Sequence, residues 1–275
     1  MRIYIQGIEA DARLEGERTV GELASSIGAW LDGQGFKASR ILADGAEAAP
    51  ETPLQGLNRI DVEAYVEPAS ALRALAAGLK RAIVEQQGGG LAMNAPLLEW
   101  LKEAEPDLAA SCERFSRDEA ARLGDGTLSG EQAAERGAML ASLLEERARE
   151  REDGLGELGR TLRALKPLLS SLSDLSFMLQ TGKDAEAYAT LLAFAELAGK
   201  LVRCVRASLP SLEGLSIDGS DLAAFSKDLS GYLAELLGSL ERKDLVGLGD
   251  VAEYEVVPRL LKLHEAFEAS VAEAV

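Results

Sequence analysis

Pro68 divides this 275-residue sequence into two stretches that obey different periodicities. Before it, apolar residues alternate with polar ones, the period-two pattern of half-buried strands. After it, leucines recur at spacings of three and four, the pattern of helices that bury one face. Proline lacks an N–H and has its φ pre-set for a first helical turn, so a helix from Ala69 is expected.

Residues 1–67 read as strand, strand, helix, strand, short strand, strand. Arg2 to Ile8 alternates, with Ile3, Ile5 and Gly7 on one face and Tyr4 and Ile8 on the other. Glu9 to Asp11 can turn the chain into a return strand around Ala12 to Leu14. Thr19-Val20-Gly21-Glu22 has the spacing of a capping box, in which the Thr19 hydroxyl accepts from the Glu22 N–H and Glu22 reaches back. Leu23, Ile27, Trp30 and Leu31 then recur at helical spacing, and Gly33 and Gly35 stop that helix. Ile41-Leu42 opens a strand, and Asp44-Gly45 is a two-residue hairpin signal. Ile60, Val62, Ala64 and Val66 alternate in the last strand, with Asp61, Glu63 and Tyr65 between them.

On Thr19-Val20-Gly21-Glu22-Leu23, Ile41-Leu42-Ala43-Asp44-Gly45, and Thr52-Pro53-Leu54 followed by Asn58-Arg59-Ile60-Asp61-Val62, this region resembles the β-grasp, or ubiquitin-like, superfamily, most of all its sulfur-carrier branch. The resemblance implies a β-grasp fold over about a quarter of the chain. A sulfur carrier ends in a free Gly-Gly whose carboxylate is adenylated and thiolated. Here the last strand runs into Val66-Glu67-Pro68, and Gly88-Gly89-Gly90 would need cleavage to become a terminus. The domain is therefore expected to dock or to pack rather than to carry sulfur.

Beyond Pro68 the pattern is helical. Leu72, Leu75, Leu79 and Ile83 form one stripe, ended by Gly88-Gly89-Gly90. Pro96 to Ala104 and Asp107 to Leu123 read as helices, with Gly124-Asp125-Gly126 as a loop and Ser129 to Gln132 as a box-like start. Glu131 to Asp153 is a charged helix with Ala138, Leu140, Leu143 and Leu144 facing inward and Glu145 to Glu152 as a solvated face. Leu158, Leu162, Leu165, Leu169 and Leu172 make a seam in a helix toward Thr181, kinked at Pro167. Asp184 to Leu209 carries Tyr188, Leu192, Ala195, Val202 and Val205 on one side. Asp221 to Leu240 and Asp244 to Val271 complete the series, the latter with a kink at Pro258. Two turns look alike: Lys183-Asp184 and Lys243-Asp244 each follow a leucine-rich helix, with a cation at its negative end and an Asp to cap the next. The fold class is thus an α+β N-terminal β-grasp domain, 1–67, followed by a mostly α-helical bundle domain of αα-hairpins, 68–275.

Composition narrows the function. The net charge is −17, with one histidine and two cysteines. Residues 1–67 carry −6 and residues 68–275 carry −11, so the excess is spread over two folded regions and repels nucleic acid and anionic membranes. The longest stretch without charge, Gln86 to Leu98, has 13 residues, too few to span a bilayer. Met1 to Gly7 has no basic segment ahead of an apolar run, so no signal peptide is expected. Cys112 and Cys204 read as buried or half-buried thiols in a reducing compartment. A cytoplasmic protein is expected.

Catalytic sets are hard to assemble. Gly154-Leu155-Gly156-Glu157-Leu158-Gly159 matches GxGxxG, but a charged helical run precedes it instead of a buried strand, so a helix–helix turn is expected. His264 sits in an amphipathic helix with Leu at position 261, so the ExxH pair of ferritin-like metal sites is absent. It is read as a surface or interface histidine, with Glu253 about 16 Å away along the axis. The most unusual segment is Gly249 to Glu255, where Asp250, Glu253, Tyr254 and Glu255 crowd before Pro258.

Two functions follow. One is a non-enzymatic interaction or assembly protein whose partner offers a basic or apolar surface, with self-association through the helices as a further option. The other is a carboxylate-based enzyme, Mg²⁺-dependent or not, using Asp250, Glu253, Tyr254, Glu255 and His264. The residues lean away from catalysis, and no cofactor or metal is expected.

Overall fold

The computed structural model describes residues 1–10, 16–84, 95–119 and 130–273. The runs Ala12 to Leu14, Gly88 to Gly90 and Gly124 to Gly126 lie outside the described residues, as does Ser129. A mixed sheet is followed by a mostly helical remainder, and the change falls at Pro68. By contacts the chain divides at another place, into Met1–Arg149 and Glu150–Val275, inside one charged helix.

In the first unit, β1 (Arg2–Ile5), β2 (Ile8–Ala10), β3 (Phe36–Ala43), β4 (Ala46–Glu47) and β5 (Arg59–Val66) form one sheet in the order β2-β1-β5-β3-β4. The central strand β5 is parallel to β1 and antiparallel to β3. Its alternation places Ile60, Val62 and Ala64 on the covered face, against Val20, Leu23, Ile27 and Leu31 of α1 (Val20–Gly33). Trp30, grouped with that stripe in the sequence, points to solvent. The capping box is half formed. The Glu22 N–H donates to the Thr19 hydroxyl at 3.3 Å, but the Glu22 carboxylate accepts from the Arg18 N–H at 2.6 Å, one residue further back.

Two expectations are corrected here. The first hairpin turns at Gln6-Gly7, not at Glu9 to Asp11, and Ile8 already belongs to the return strand. Both turn residues have positive φ, 53° and 77°, which the right-handed strand twist demands of a two-residue loop. Gln-Gly is a weaker signal for that turn than Asp44-Gly45, which closes β3 onto β4 as expected. Strand β3 also begins at Phe36, five residues before Ile41, because Phe36 to Arg40 pairs with β5 despite its polar residues.

Helix α2 (Pro68–Val84) starts at Pro68 itself. The Glu67 side chain accepts from the Ser70 N–H at 2.7 Å and so caps it. Burial would raise the Glu67 carboxyl, and the backbone N–H groups of Ser70 and Ala69 help to hold it below the ordinary range. Helices α3 (Ala95–Ala104), α4 (Pro106–Arg114) and α5 (Gly130–Glu152) pack with α2 around Leu72, Leu75, Leu79, Leu97, Leu101 and Leu144. A π-helical turn, Phe115–Glu119, extends α4. The inner face of α5 is Ala133, Gly137, Leu140, Ala141, Leu144 and Ala148, whereas Ala138 and Leu143 are exposed, contrary to expectation. Small residues win because neighbours come close. A Cβ on Gly137 would stand 2.5 Å from Ile83 Cδ1 and 2.9 Å from Phe115 Cζ.

The second unit is built from α6 (Gly154–Ser173), α7 (Leu175–Gln180), α8 (Asp184–Ser208), a 3₁₀ turn (Leu209–Leu212), β6 (Ser216–Ile217), β7 (Ser220–Asp221), α9 (Leu222–Glu241), α10 (Leu245–Asp250), a π-helical segment (Val251–Val256) and α11 (Val257–Glu273). The seam Leu158, Leu162, Leu165, Leu169, Leu172 is wholly buried, and α6 runs through Pro167 as one helix but breaks at Asp174. The small hairpin at Asp218-Gly219 went unread in the sequence, although it repeats the Asp-Gly signal at 44–45. At the other expected kink, the backbone widens into the π-helical segment just before Pro258. A proline ring crowds the carbonyl four residues back and supplies no N–H, and the wider turn accommodates both.

The buried face of α8 is Ala187, Leu191, Phe194, Ala198, Leu201, Cys204 and Val205. Of the residues expected on one side, Val205 is buried while Tyr188 and Leu192 are exposed. The two look-alike turns are alike in backbone and unlike in capping. The Lys183 N–H reaches the Met178 carbonyl and the Asp244 N–H the Ser239 carbonyl, both at 2.9 Å, closing the same helix-ending loop. The Asp244 carboxylate then accepts from the Gly247 N–H at 3.0 Å, while Asp184 makes no cap and Lys183 holds the cap position. Asp244→Ala is therefore expected to cost about 1 kcal/mol and Asp184→Ala only a few tenths, measured by urea unfolding.

Candidate functional site

Of the Asp250–Glu255 segment, Asp250 ends α10 and the rest lies on the π-helical turn, with a polar pocket of about 520 Å³ beside it. The pocket is walled by Asp218 and Ser220 of the small hairpin, Asp228 of α9, Tyr254, and Arg259 and Lys262 of α11. Arg259 organises it. Its Nε donates to Asp228 at 2.8 Å, its Nη1 to Glu255 at 2.7 Å, and the guanidinium stacks on the Tyr232 ring at 3.9 Å. Burial alone would lower the Arg259 pKa; its bonds to Asp228 and Glu255 raise it instead. Lys262 pairs with Asp218.

The sequence-predicted residues scatter around this centre. Tyr254 lines the pocket, and a hydrogen bond with Glu253 pushes its phenol up. Glu255 is spent on Arg259. Asp250 is exposed at the end of α10. His264 is not a surface residue: it is 6% exposed, with Nδ1 3.5 Å from Glu268 one turn on. Its flanking residues Leu260, Leu263 and Phe267 are all core, which draws the ring inward. Among the described residues, no three His, Cys, Asp or Glu side chains are placed to hold a metal ion. Asp228, Arg259 and Lys262 went unread. The Glu255–Arg259 spacing of four was a signal, but Asp228 lies 31 residues from its partner.

A second feature is a buried polar layer between α6, α8 and the last turn of α5. Glu150, expected on a solvated face, is 3% exposed, and Arg203 donates to both its oxygens at 2.8 and 2.9 Å. Glu157 is as deeply buried and pairs with Lys200 and Arg160. Burial would raise its carboxyl, and those two cations outweigh it and lower it. Burial here pushes the Cys204 thiol up to about 12, and burial in the core of the first unit pushes Cys112 up to about 11, so both free cysteines are weak nucleophiles. The GxGxxG run starts α6 and binds its own chain: the Gly156 N–H caps onto Asp153 at 2.9 Å, Gly154 abuts Ala207 and Gly159 abuts Phe267. A helix precedes it, so the strand that a dinucleotide site needs is not there.

The third feature is apolar. Helix α8 packs closely on α6, while between α8 and α9 runs a groove of about 280 Å³ lined by Leu191, Ala195, Val202, Leu233, Leu237 and Leu248. Its walls are α8 and α9, with Leu248 of α10 beside them. On the helices α7 to α10 six large apolar side chains are exposed: Phe177, Tyr188, Leu192, Leu237, Leu245 and Val246. Single exposed leucines are ordinary on a monomer, but a concentration of this kind marks a contact surface.

Residues 158–266, which include that groove, match a family described as a domain of unknown function, DUF8042. Residues 1–65, the sheet and α1, match the TP0873 N-terminal domain family. An uncharacterized protein of Treponema pallidum (strain Nichols) is 34% identical over 106 residues, 38% of this chain. The match spans about half of that relative, 52% of its length. No solved structure matches the chain.

Proposed function

We propose that this chain is a non-enzymatic interaction protein whose helical unit docks a protein partner at the apolar end formed by α7 to α10. The observation that carries the reading is the apolar α8–α9 groove, together with the exposure of Phe177, Tyr188, Leu192, Leu237, Leu245 and Val246 on the helices α7 to α10. Leaving so much apolar surface in water is costly, at about 25 cal/mol per Å², unless another surface covers it. The carboxylate reading draws less support, because the acids nearest Tyr254, namely Asp228 and Glu255, are both held by Arg259. A β-grasp assignment for residues 1–67 draws support from the order β2-β1-β5-β3-β4 and from α1 across one face. A cytoplasmic setting agrees with two free, buried thiols, and among the described residues no helix is long and apolar enough to cross a membrane.

The test is site-specific photo-crosslinking in cells that make the full chain. A crosslinking residue at Val246 is expected to yield discrete protein adducts, identified by mass spectrometry and abolished by Leu192→Glu. The same residue at Glu235, exposed on another flank of α9, is expected to yield none. Equal labelling at both positions, or none at Val246, overturns the reading.

A further inference from the structure

The polar pocket beside the π-helical segment shares no lining residue with the α8–α9 groove. At about 520 Å³ it has the size of a small-molecule site, for which about 300–1,000 Å³ is usual. The ionised groups that line it are two acids and two cations, paired as Asp228 with Arg259 and Asp218 with Lys262. An anionic ligand would meet both carboxylates as repulsion, and a cationic ligand both cations. A neutral polar ligand meets neither.

The two pairs are not saturated. Asp228 and Asp218 each accept through Oδ2 and keep Oδ1, while Arg259 donates through Nε and Nη1 and keeps Nη2. The Ser220 hydroxyl, on the pocket wall, is likewise unengaged among the described residues. Donors and acceptors thus stand side by side. A hydroxyl is the group that uses both at once, accepting from the cation and donating to the carboxylate. Hydrogen bonds to ionised groups are the strong ones, and in a chain they reinforce one another. The remaining wall includes Ile217, Ala224, Phe225 and Pro258, an apolar surface suited to the C–H face of a saturated ring.

We propose that this pocket binds a small neutral polyhydroxylated molecule, of the sugar or polyol class. Hydroxyls of the ligand bridge Arg259 to Asp228 and Lys262 to Asp218 while both ion pairs stay closed, and Ser220 adds a further polar contact. The proposal does not depend on what the apolar groove docks.

Saturation-transfer difference NMR of the full chain with D-glucose, D-mannose and myo-inositol, each titrated to about 10 mM, reads binding directly. At least one is expected to bind with a Kd of about 1 mM or below. Glutamate, putrescine and glycine, an anion, a cation and a zwitterion, are expected not to bind. Ala224→Leu fills the pocket from an exposed position of α9 and removes no polar group, so the fold survives (circular dichroism checks this) while binding falls about tenfold or more. Asp228→Asn and Lys262→Met each remove one charged partner of a bridging hydroxyl and weaken binding about fivefold. Lys227→Met, exposed next to Asp228 but off the pocket wall, leaves it unchanged. No binding by any of the three neutral probes, tighter binding of a charged one, or a Kd indifferent to Ala224→Leu or to both charge variants overturns the assignment. Val246→Glu leaves sugar binding intact and Ala224→Leu leaves the crosslink at Val246 intact, so either reading can fail without the other.

Discussion

Gly35→Ala is expected to destabilise the first unit by about 3 to 5 kcal/mol, the sum of a strained backbone and an overpacked contact. Gly35 has φ +87°, a conformation that side chains rarely adopt, and it is buried. An added Cβ would stand 2.7 Å from Ala71 Cα, which is backbone, and 2.9 Å from Leu97 Cδ1. The side chain can give way; the α2 backbone cannot. The same turn is tied to α2 by the Glu67 N–H on the Gly35 carbonyl at 3.1 Å and by the Ser70 hydroxyl on Asp32 at 2.6 Å. Any shift that relieves the clash therefore pulls on both bonds. Gly45→Ala separates the two terms. Its φ is +86° but the space around it is open, so only the backbone strain of about 1 kcal/mol remains. Urea unfolding of the full chain, followed by the fluorescence of Trp30 and Trp100 in this unit, checks the contrast. Equal losses at the two glycines would show that the close approach of α2 contributes nothing.

Residues 60–66 show what was legible in the sequence. Their alternation reports a sheet with one covered face, because a strand has only two faces and a polar one cannot be buried cheaply. The leucine seam at 158–172 was legible for the same reason, since α6 offers a single apolar stripe. Helix α8 offers two. Ala187, Leu191, Phe194 and Leu201 lie one residue away from Tyr188, Leu192, Ala195 and Val202, so a rotation of about 100° exchanges them at little cost in hydrophobicity. Nothing local decides which stripe meets α6. The stripe left outside supplies Ala195 and Val202 to the α8–α9 groove, so the ambiguity and the proposed function share a cause: the helix is more apolar than its own unit can bury.

The inner face of α5 departs from its sequence pattern for a different reason. Ala133, Gly137 and Ala141 score low on any hydrophobic scale, yet they set how closely α5 approaches its neighbours. The candidate site around Tyr254 was half legible. Crowded acids before Pro258 did mark an irregular turn, because the proline forces the π-helical widening. The cation that neutralises Glu255 was visible four residues on, whereas Asp228 required the fold.

Arg203→Met is expected to cost about 3 kcal/mol or more, although Arg203 itself is a third exposed. The reason lies with its partner. Glu150 has a side chain 4% exposed, and Arg203 supplies two of the hydrogen bonds that hold its charge. Methionine keeps the apolar stem and removes both donors, leaving a carboxylate that has been taken out of water with less to compensate it. Glu150→Met alone frees a cation that can reach solvent, so its cost is expected to be smaller. The double change, Glu150→Met/Arg203→Met, is expected to recover most of the loss, because an apolar pair of similar volume needs no compensation. Thermal unfolding of the four proteins closes the cycle. A double variant as damaged as Arg203→Met would place the energy of this layer in packing rather than in charge. An Arg203→Met protein as stable as the parent would mean that water already reaches Glu150.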